Sequence, residues 1–439
     1  MERILIKDAP KLIGKKIKVC GWINSFRDHG KIIFIDLRDR TGLLQIVFSG
    51  TIYKKAKTIR PEWILAVEGI IKERPPKMQN KEIETGKVEM EVENLEIISK
   101  TTKEPIIDLS KEDLNLKLTT LLDNRPLTLR HQKSRAIFMV FENVLWAYRT
   151  IMKKLDFTEI KTPKIIGTAS EGGANFFTFD YFGKKAFLAQ SPQFYKQICV
   201  GVFERVFEIG PVFRKEPHFT TRHMNEYISL DAEMGFISNM NEIMDELEKV
   251  IKYVLGDIFK KHLTDFKMFG AEKPKIPEKI PRIKLREMKE IIKEKYGYKI
   301  PKEADIDPRG EELAGKYTKD KWGCDLLFLT HYPIKKRPFY TMPSRDDLKE
   351  TESFDLLFKG VEIATGSQRI HNPEILKENI KKWKLNQKDF EFYMQTFEYG
   401  MPSHGGWALG AERIVYKLLG LSTVKEASMF PRDVKRLVP

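Results

Sequence analysis

Between Ala189 and Met234 the chain reads AQSPQFYKQ and then FRKEPHFTTRHMNEYISLDAEM, and this stretch has a counterpart in GWALGAER near the C-terminus. Arg214 and Glu216 stand two apart, so an extended strand would send both side chains from one face. A guanidinium there suits a phosphate and a carboxylate suits an amine donor, which together can read ATP. Arg413 follows Gly405, Gly406 and Gly410, residues without a side chain that would let backbone approach a ligand just before a helix begins. An Arg-x-Glu pair alone is usually a surface ion pair. Strand, charged loop, strand and glycine-rich strand leading into an arginine-bearing helix constrain the chain far more, to a nucleotide-activating site.

The flanking regions agree. Ser134 opens a helix with apolar residues at Ile137, Val140, Phe141, Val144, Tyr148, Ile151 and Leu155, a helical period that runs into the strand FTEIKTP ending at Pro163. The first hundred residues alternate as strands in IKVCGWI, KIIFIDLRD, LLQIVF, WILAVEGII and KVEMEVENLEI, with turn residues between them. Five such strands predict an OB-fold barrel. In its second strand Ile33, Ile35 and Leu37 share one face, leaving Phe34, Asp36 and Arg38 outside, with Phe34 available to stack on a single-stranded base or to be covered.

The predicted organisation is α+β: an OB-fold over residues 1–100, a polar linker over 101–130, and a catalytic domain over 131–439, an antiparallel sheet flanked by helices. A Lys- and Pro-rich stretch around 265–320, containing KPKIPEKIP, reads as an inserted module with a solvated or RNA-contacting face. A formal charge of +15 favours a polyanionic partner. Cys20, Cys199 and Cys324 are isolated, which excludes a disulfide framework or zinc spacing and predicts buried free thiols in a cytoplasmic protein. No signal peptide or membrane-length apolar run is evident.

The three catalytic elements, in this order, resemble the three motifs of class II aminoacyl-tRNA synthetases. GWINSFRDHGKIIFIDLRDRTGLLQ resembles the anticodon-binding domain of the subgroup that activates aspartate, asparagine or lysine. LDNRPLTLR, TASEGGANFF, FLAQSPQFYKQ, SFDLLFKGVEIATGSQRIHNP, GMPSHGGWALGAER and FPRDVKRLVP resemble its aspartate branch. The resemblance implies that ATP activates L-aspartate and that the adenylate is passed to the 3′ end of tRNA-Asp by a homodimer with no membrane association. A strictly discriminating aspartyl-tRNA synthetase, an asparaginyl-tRNA synthetase and an inert tRNA-binding relative are the alternatives.

It also implies roles. Glu171, in a loop with Gly172 and Gly173, would close over the substrate ammonium. Lys196 and Arg369 would face the side-chain carboxylate, and Gln193, Asp231 and Thr365 would complete the aspartate contacts. Arg214 would bind the α-carboxylate and α-phosphate, Glu216 the adenine amine, and Arg222 with His223 the outer phosphates. Met224, Tyr227 and Gly410 would line the nucleotide, and Arg413 would lie near the γ-phosphate. Mg²⁺ would be held by Glu362 with help from Thr365 and Asp355. Odd spacing places Glu362 and Thr365 on opposite faces of a strand, so a bend at AlaThrGlySer, allowed by Gly366, must re-aim the threonine.

In the barrel, Arg27, His29, Phe34, Gln45 and Pro76 are the anticodon candidates. Phe34 and Gln45 match positions that recognise the middle base shared by the aspartate and asparagine anticodons. His29 matches a position where histidine accompanies relaxed choice at the first base, implying that tRNA-Asn is charged as well; the plainer alternative is that His29 finishes a turn.

Overall fold

Period-two alternation in the first hundred residues closes into a five-stranded barrel in the computed structural model, which describes all residues except 82, 169–175, 218–219 and 302–304. Its strands are β1 (Lys16–Asp28), β2 (Ile33–Asp39), β3 (Gly42–Phe48), β4 (Ile64–Glu73) and β5 (Val88–Ser99), joined in the order β1-β2-β3-β5-β4. Val19, Ile23, Ile33, Ile35, Leu37 and Ile46 point inward and are fully buried. Closure pairs every strand on both sides, leaving no exposed edge. Two expectations fail locally. Arg38 is buried by Glu62, whose two oxygens accept from its Nη2 at 2.8 and 2.9 Å. Of the three thiols only Cys324 is buried; Cys20, on the outer face of β1, and Cys199 are half-buried.

The chain divides into two units, Met1–His131 and Gln132–Pro439. Residues 101–130 cluster with the barrel and carry two short helices, Leu118–Asp123 and Arg125–Thr128.

The second unit continues with β6 (Thr158–Glu159), β7 (Ile165–Ile166), β8 (Thr178–Tyr181), β9 (Lys184–Leu188), β10 (Arg205–Phe213), β11 (Glu226–Gly235), β12 (Arg282–Lys284), β13 (Leu326–Thr330), β14 (Ser353–Phe358), β15 (Val361–Gln368) and β16 (His404–Gly410). Eight of these form one sheet in the order β12-β13-β14-β15-β16-β11-β10-β6, and β7, β9 and β8 form a small separate sheet. The centre is antiparallel, as expected from the sequence. At the two ends β12 pairs with β13 and β6 with β10 in parallel, so the sheet is mixed. Parallel neighbours need a long crossover, and both pairs have one: the small sheet and a helix between β6 and β10, and the helices Leu285–Tyr296 and Pro308–Trp322 between β12 and β13. The Lys- and Pro-rich stretch is thus built into the sheet as a strand-helix-helix extension.

The helix Gln132–Lys154 begins two residues before Ser134 and buries Ile137, Val140, Val144, Tyr148 and Ile151 along one stripe. Phe141 is half-buried, and the following strand is shorter than FTEIKTP suggests. The stripe packs on the helices Met240–Lys261 and Ala411–Leu419, which fixes one side of the central strands. No helix among the described residues is long and apolar enough to cross a membrane.

Candidate active site

All nine residues assigned to the nucleotide from the sequence line one cavity of about 180 Å³: Arg214, Glu216, Arg222, His223, Met224, Tyr227, Glu362, Gly410 and Arg413. The route by which Arg214 and Glu216 reach it differs from the expectation. β10 ends at Phe213, so neither residue is on the strand. The Asn225 side-chain amide donates to Arg214 O at 2.8 Å and Glu216 O at 3.3 Å, while Glu216 N donates to Arg214 O at 2.8 Å. A tight turn fastened by Asn225, rather than strand periodicity, turns both side chains into the cavity. The Arg214 guanidinium lies 5.8 Å from the centre of the Tyr227 ring.

The glycines also act differently. A Cβ on Gly406 would stand 2.0 Å from Ala232 O and 2.4 Å from Glu233 Oε2, and one on Gly405 would stand 2.2 Å from Ile243. These two residues let β16 pack against β11 and the helix behind it. Only Gly410 reaches the cavity, where a Cβ would meet Arg413 at ordinary contact, 3.7 Å.

Glu362 sits at the charge centre of the site. Burial would raise its carboxyl, but Arg413, Arg214, Arg222 and Arg337 together hold it below the usual value. Arg413 Nη1 lies 3.2 Å from Glu362 Oε1 and donates to Glu362 O at 2.8 Å. The predicted re-aiming of Thr365 occurs, but upstream of the expected bend. A β-bulge opposite Leu356 and Leu357 inserts Ile363 as an extra residue between Glu362 and Ala364. One extra residue reverses the alternation, so Glu362 and Thr365 face the same cavity. His223 is held below the ordinary imidazole value by burial and by Arg413, which favours the neutral ring.

A second cavity of about 800 Å³ is lined by Gln193, Lys196, Arg214, Asp231, Thr365 and Arg369. It shares Arg214, Glu362, Thr365 and Ala408 with the first, so the two open into one another. Lys196 is only 2 % exposed. Its ammonium lies 3.0 Å from Asp231 Oδ1 and 3.3 Å from Glu233 Oε2, and donates to Trp407 O at 3.1 Å. Arg369 donates from Nε to Glu233 Oε1 at 2.9 Å and from Nη2 to Gly406 O at 3.2 Å, with Tyr340 stacked beneath at 5.5 Å. Ser229 donates to Asp231 Oδ2 at 2.5 Å. Two buried cations therefore meet two buried carboxylates, and burial, which alone would raise Glu233, is outweighed by Arg369 and Lys196. Behind them the Gln193 amide donates to Gln197 at 2.9 Å, and Gln197 is held by Tyr393 at 2.9 Å and His404 at 2.8 Å. Burial lowers the His404 imidazole to about 4, so it serves as a neutral partner. Glu171 lies outside the described residues.

Three contributors escaped sequence reasoning. Glu233 was legible in principle: two residues from Asp231 on β11, it shares that face. Arg337 and Glu311 carried no spacing signal. Arg337 donates to Thr365 Oγ1 at 2.9 Å, lies 2.8 Å from Asp355 Oδ1 and stacks 3.7 Å from the Tyr332 ring centre. Both Glu311 oxygens lie within 2.8 Å of Arg222 Nη2, and burial pushes this carboxyl up to about 7 against the pull of Arg222.

For Mg²⁺, the Glu362 carboxylate and Thr365 hydroxyl are hard oxygen donors on one cavity wall, which fits an ion that keeps waters and shares substrate phosphates. Asp355 pairs across the ladder with Thr365 but lines neither cavity and is engaged by Arg337. No cluster of three carboxylate, histidine or cysteine ligands occurs among the described residues.

On the barrel, direct cross-strand pairs place Arg27 opposite Phe34 and Asp36 opposite Gln45, on the outer face. Arg27 reaches Asp36 at 3.1 Å and Gln45 at 3.4 Å, and Gln45 donates to Glu89 at 2.7 Å. His29 is exposed at the β1–β2 turn with its ring edge-on to half-buried Phe34, centroids 5.6 Å apart. Pro76 is exposed at the start of a one-turn helix between β4 and β5.

The comparisons agree with both units. Residues 17–98 match the OB-fold nucleic acid binding domain, and residues 117–434 match the tRNA synthetases class II (D, K and N). The chain is 42% identical to the aspartate–tRNA(Asp/Asn) ligase of Thermus thermophilus over 100% of both chains. It is 43% identical to the aspartate–tRNA(Asp) ligase of Pyrococcus horikoshii over 98% of this chain and 97% of that one. Among solved structures, asparaginyl-tRNA synthetase from Pyrococcus horikoshii complexed with asparaginyl-adenylate aligns with TM-score 0.92 at 29% identity, covering 100% of both chains. A family match that spans the whole catalytic sheet, joined to an OB-fold match over the barrel, establishes that the chain belongs to the class II tRNA synthetases of the D, K and N group and is an aminoacyl-tRNA ligase.

Proposed function

We propose that the protein activates L-aspartate with ATP and transfers it to the 3′ end of tRNA-Asp, and that it also charges tRNA-Asn. The observation that carries the first part is the junction of the two cavities at Arg214. An amino acid seated beside Lys196, Arg369 and Asp231 has its α-carboxylate at the mouth of the nucleotide cavity. Aspartate, with one ammonium and two carboxylates, suits a pocket whose opposite charges are already paired: its carboxylates exchange into contacts with the cations and its ammonium with the anions. Asparagine would bring amide donors toward Lys196 and Arg369 and leave charge-assisted contacts unmade, and a site built on such pairing rejects an analogue by about 10⁴-fold.

No general base is needed for activation, because the α-carboxylate is ionised at neutral pH. Arg214 orients that carboxylate against the α-phosphate, while Arg413 and Arg222 neutralise the departing pyrophosphate. Glu216 takes the adenine amine and Tyr227 its ring face. Mg²⁺, held by Glu362 and Thr365, would supply charge neutralisation to the phosphates when bound.

Phe34 and Gln45 take the middle anticodon base, with Arg27 and Pro76 flanking. The relatives include both an Asp/Asn and an Asp enzyme at similar identity, so the second part rests on His29. Its backbone N–H already closes the turn to Ile32 O at 2.9 Å, a job that needs no imidazole, and the ring stands beside Phe34 where it can donate or accept. The protein acts as a cytoplasmic homodimer; Trp146 and Met139, exposed on the helix Gln132–Lys154, suit a subunit contact. Aspartylation of the two tRNA transcripts tests the proposal. Comparable efficiencies support it, and a preference for tRNA-Asp above about a hundredfold, the ~3 kcal/mol of one base read, would show a discriminating enzyme.

A further inference from the structure

We propose that Glu311 is a positioning residue for the nucleotide: from the helix Pro308–Trp322 it aims the Arg222 guanidinium into the cavity and pins the bulged backbone that presents Glu362. The inference rests on the reading that Arg222 takes the outer phosphates.

The carboxylate is held where it can do this. Its helix is capped by Asp307, which accepts from Gly310 N at 2.8 Å. The helix also lies backbone to backbone on the β14–β15 turn, since a Cβ on Gly315 would stand 2.5 Å from Gly360 Cα, and Gly360 has φ +70°. No other residue could bring the two backbones so close. Glu311 is buried, and its Oε2 accepts from Glu362 N at 2.9 Å while both oxygens engage Arg222 Nη2 at 2.7 and 2.8 Å. One side chain thus ties together a loop residue 89 positions away and a strand residue 51 positions away.

Glu311 does not itself line the cavity, whereas Arg222 and Glu362 do. It must therefore act through them. The Arg222 guanidinium spends Nη2 on Glu311, and its Nε is buried with no hydrogen-bond partner among the described residues. A guanidinium anchored through Nη2 is fixed in orientation at the cavity wall it lines. The Glu362 amide bond has a separate effect. A bulge leaves ladder groups unpaired, and Glu311 satisfies the amide of the residue whose carboxylate must point into the cavity. The Lys- and Pro-rich stretch therefore contributes to nucleotide binding through one internal carboxylate.

Steady-state pyrophosphate exchange on the full-length enzyme, with ATP and aspartate varied separately, tests this. Glu311→Gln is expected to raise the KM for ATP about tenfold, the loss of one charge-assisted contact, and to leave the KM for aspartate unchanged. Arg222→Ala should raise the ATP KM by at least as much, and the double variant should match Arg222→Ala. Glu311→Asp, which keeps the charge one methylene shorter, should recover part of the loss seen in Glu311→Ala. If Arg222→Ala raises the ATP KM while Glu311→Gln does not, or if the Asp and Ala variants behave alike, Glu311 is only a packing partner and the inference falls. If Arg222→Ala leaves the ATP KM unchanged, the role of Arg222 in binding phosphates is wrong and the inference falls with it.

Discussion

Replacing Lys196 by leucine removes one of the two cations facing two buried carboxylates. In the parent, Asp231 and Glu233 are 2 % and 0 % exposed and are balanced by Lys196 and Arg369. Without the ammonium one negative charge is left uncompensated, at a cost of about 3–5 kcal/mol. Glu233, kept below its ordinary value partly by Lys196, rises in the variant. A raised carboxyl takes up a proton as pH falls, so the destabilisation should be largest at alkaline pH and relieved toward pH 5. The ligand loses separately. One missing charge-assisted contact to the aspartate side chain, about 1.5–3 kcal/mol, corresponds to about a ten- to hundredfold rise in the aspartate KM. Lys196 does not line the nucleotide cavity, so the ATP KM should stay near that of the parent. The assay is aspartate-dependent pyrophosphate exchange on protein shown to be folded by thermal melting at pH 6 and pH 8. A folded Lys196→Leu enzyme with the parental aspartate KM would refute the pocket assignment.

Other variants probe the rest of the site. Glu362→Ala and Arg413→Ala should each lower adenylate formation by about a hundredfold or more while tRNA binding, followed by filter retention at several salt concentrations, is unchanged. Gly406→Ala forces a Cβ to within 2.0 Å of Ala232 O and 2.4 Å of Glu233 Oε2. It should cost about 1–3 kcal/mol by overpacking, seen in chemical denaturation, and raise the aspartate KM by disturbing Glu233. Glu412 is buried and accepts from Ile228 N at 3.1 Å, and burial pushes its carboxyl up to about 8. A folded value above the unfolded one gives stability that is complete below about pH 4.5 and is lost as pH rises through 8. Glu412→Gln should therefore flatten the melting temperature between pH 5 and pH 8, and an unchanged slope would show that Glu412 is ionised in the fold.

The barrel strands were legible because they rest on local pattern, and the nucleotide residues because their segments resemble the motifs of a known family. Alternation places Ile33, Ile35 and Leu37 inward without reference to anything distant, and FRKE with GAER needs only a strand on either side. Long-range partners were not legible. Arg38 looks like an outward residue until Glu62, 24 positions away, buries it. Gly405 and Gly406 look like ligand-facing glycines until Ile243 of the helix Met240–Lys261 crowds the first and β11 the second. The bulge at Ile363 depends on register against β14, which no spacing within one strand reveals. Glu311 acts from a stretch whose composition announces only solvated charge, and Arg337 from a segment with no spacing signal. The strand end at Phe213 went unseen for a related reason, since Asn225 substitutes a side-chain amide for the next ladder bond.

The central claim is that the cavity beside Lys196, Asp231, Glu233 and Arg369 selects aspartate and delivers its carboxylate to the nucleotide at Arg214. ATP–pyrophosphate exchange with aspartate and asparagine in parallel, without tRNA, tests it most directly. Exchange should depend on aspartate, with asparagine weaker by about 10⁴-fold in kcat/KM. Equal exchange with asparagine, or exchange with asparagine alone, would contradict the charge pairing on which the account depends.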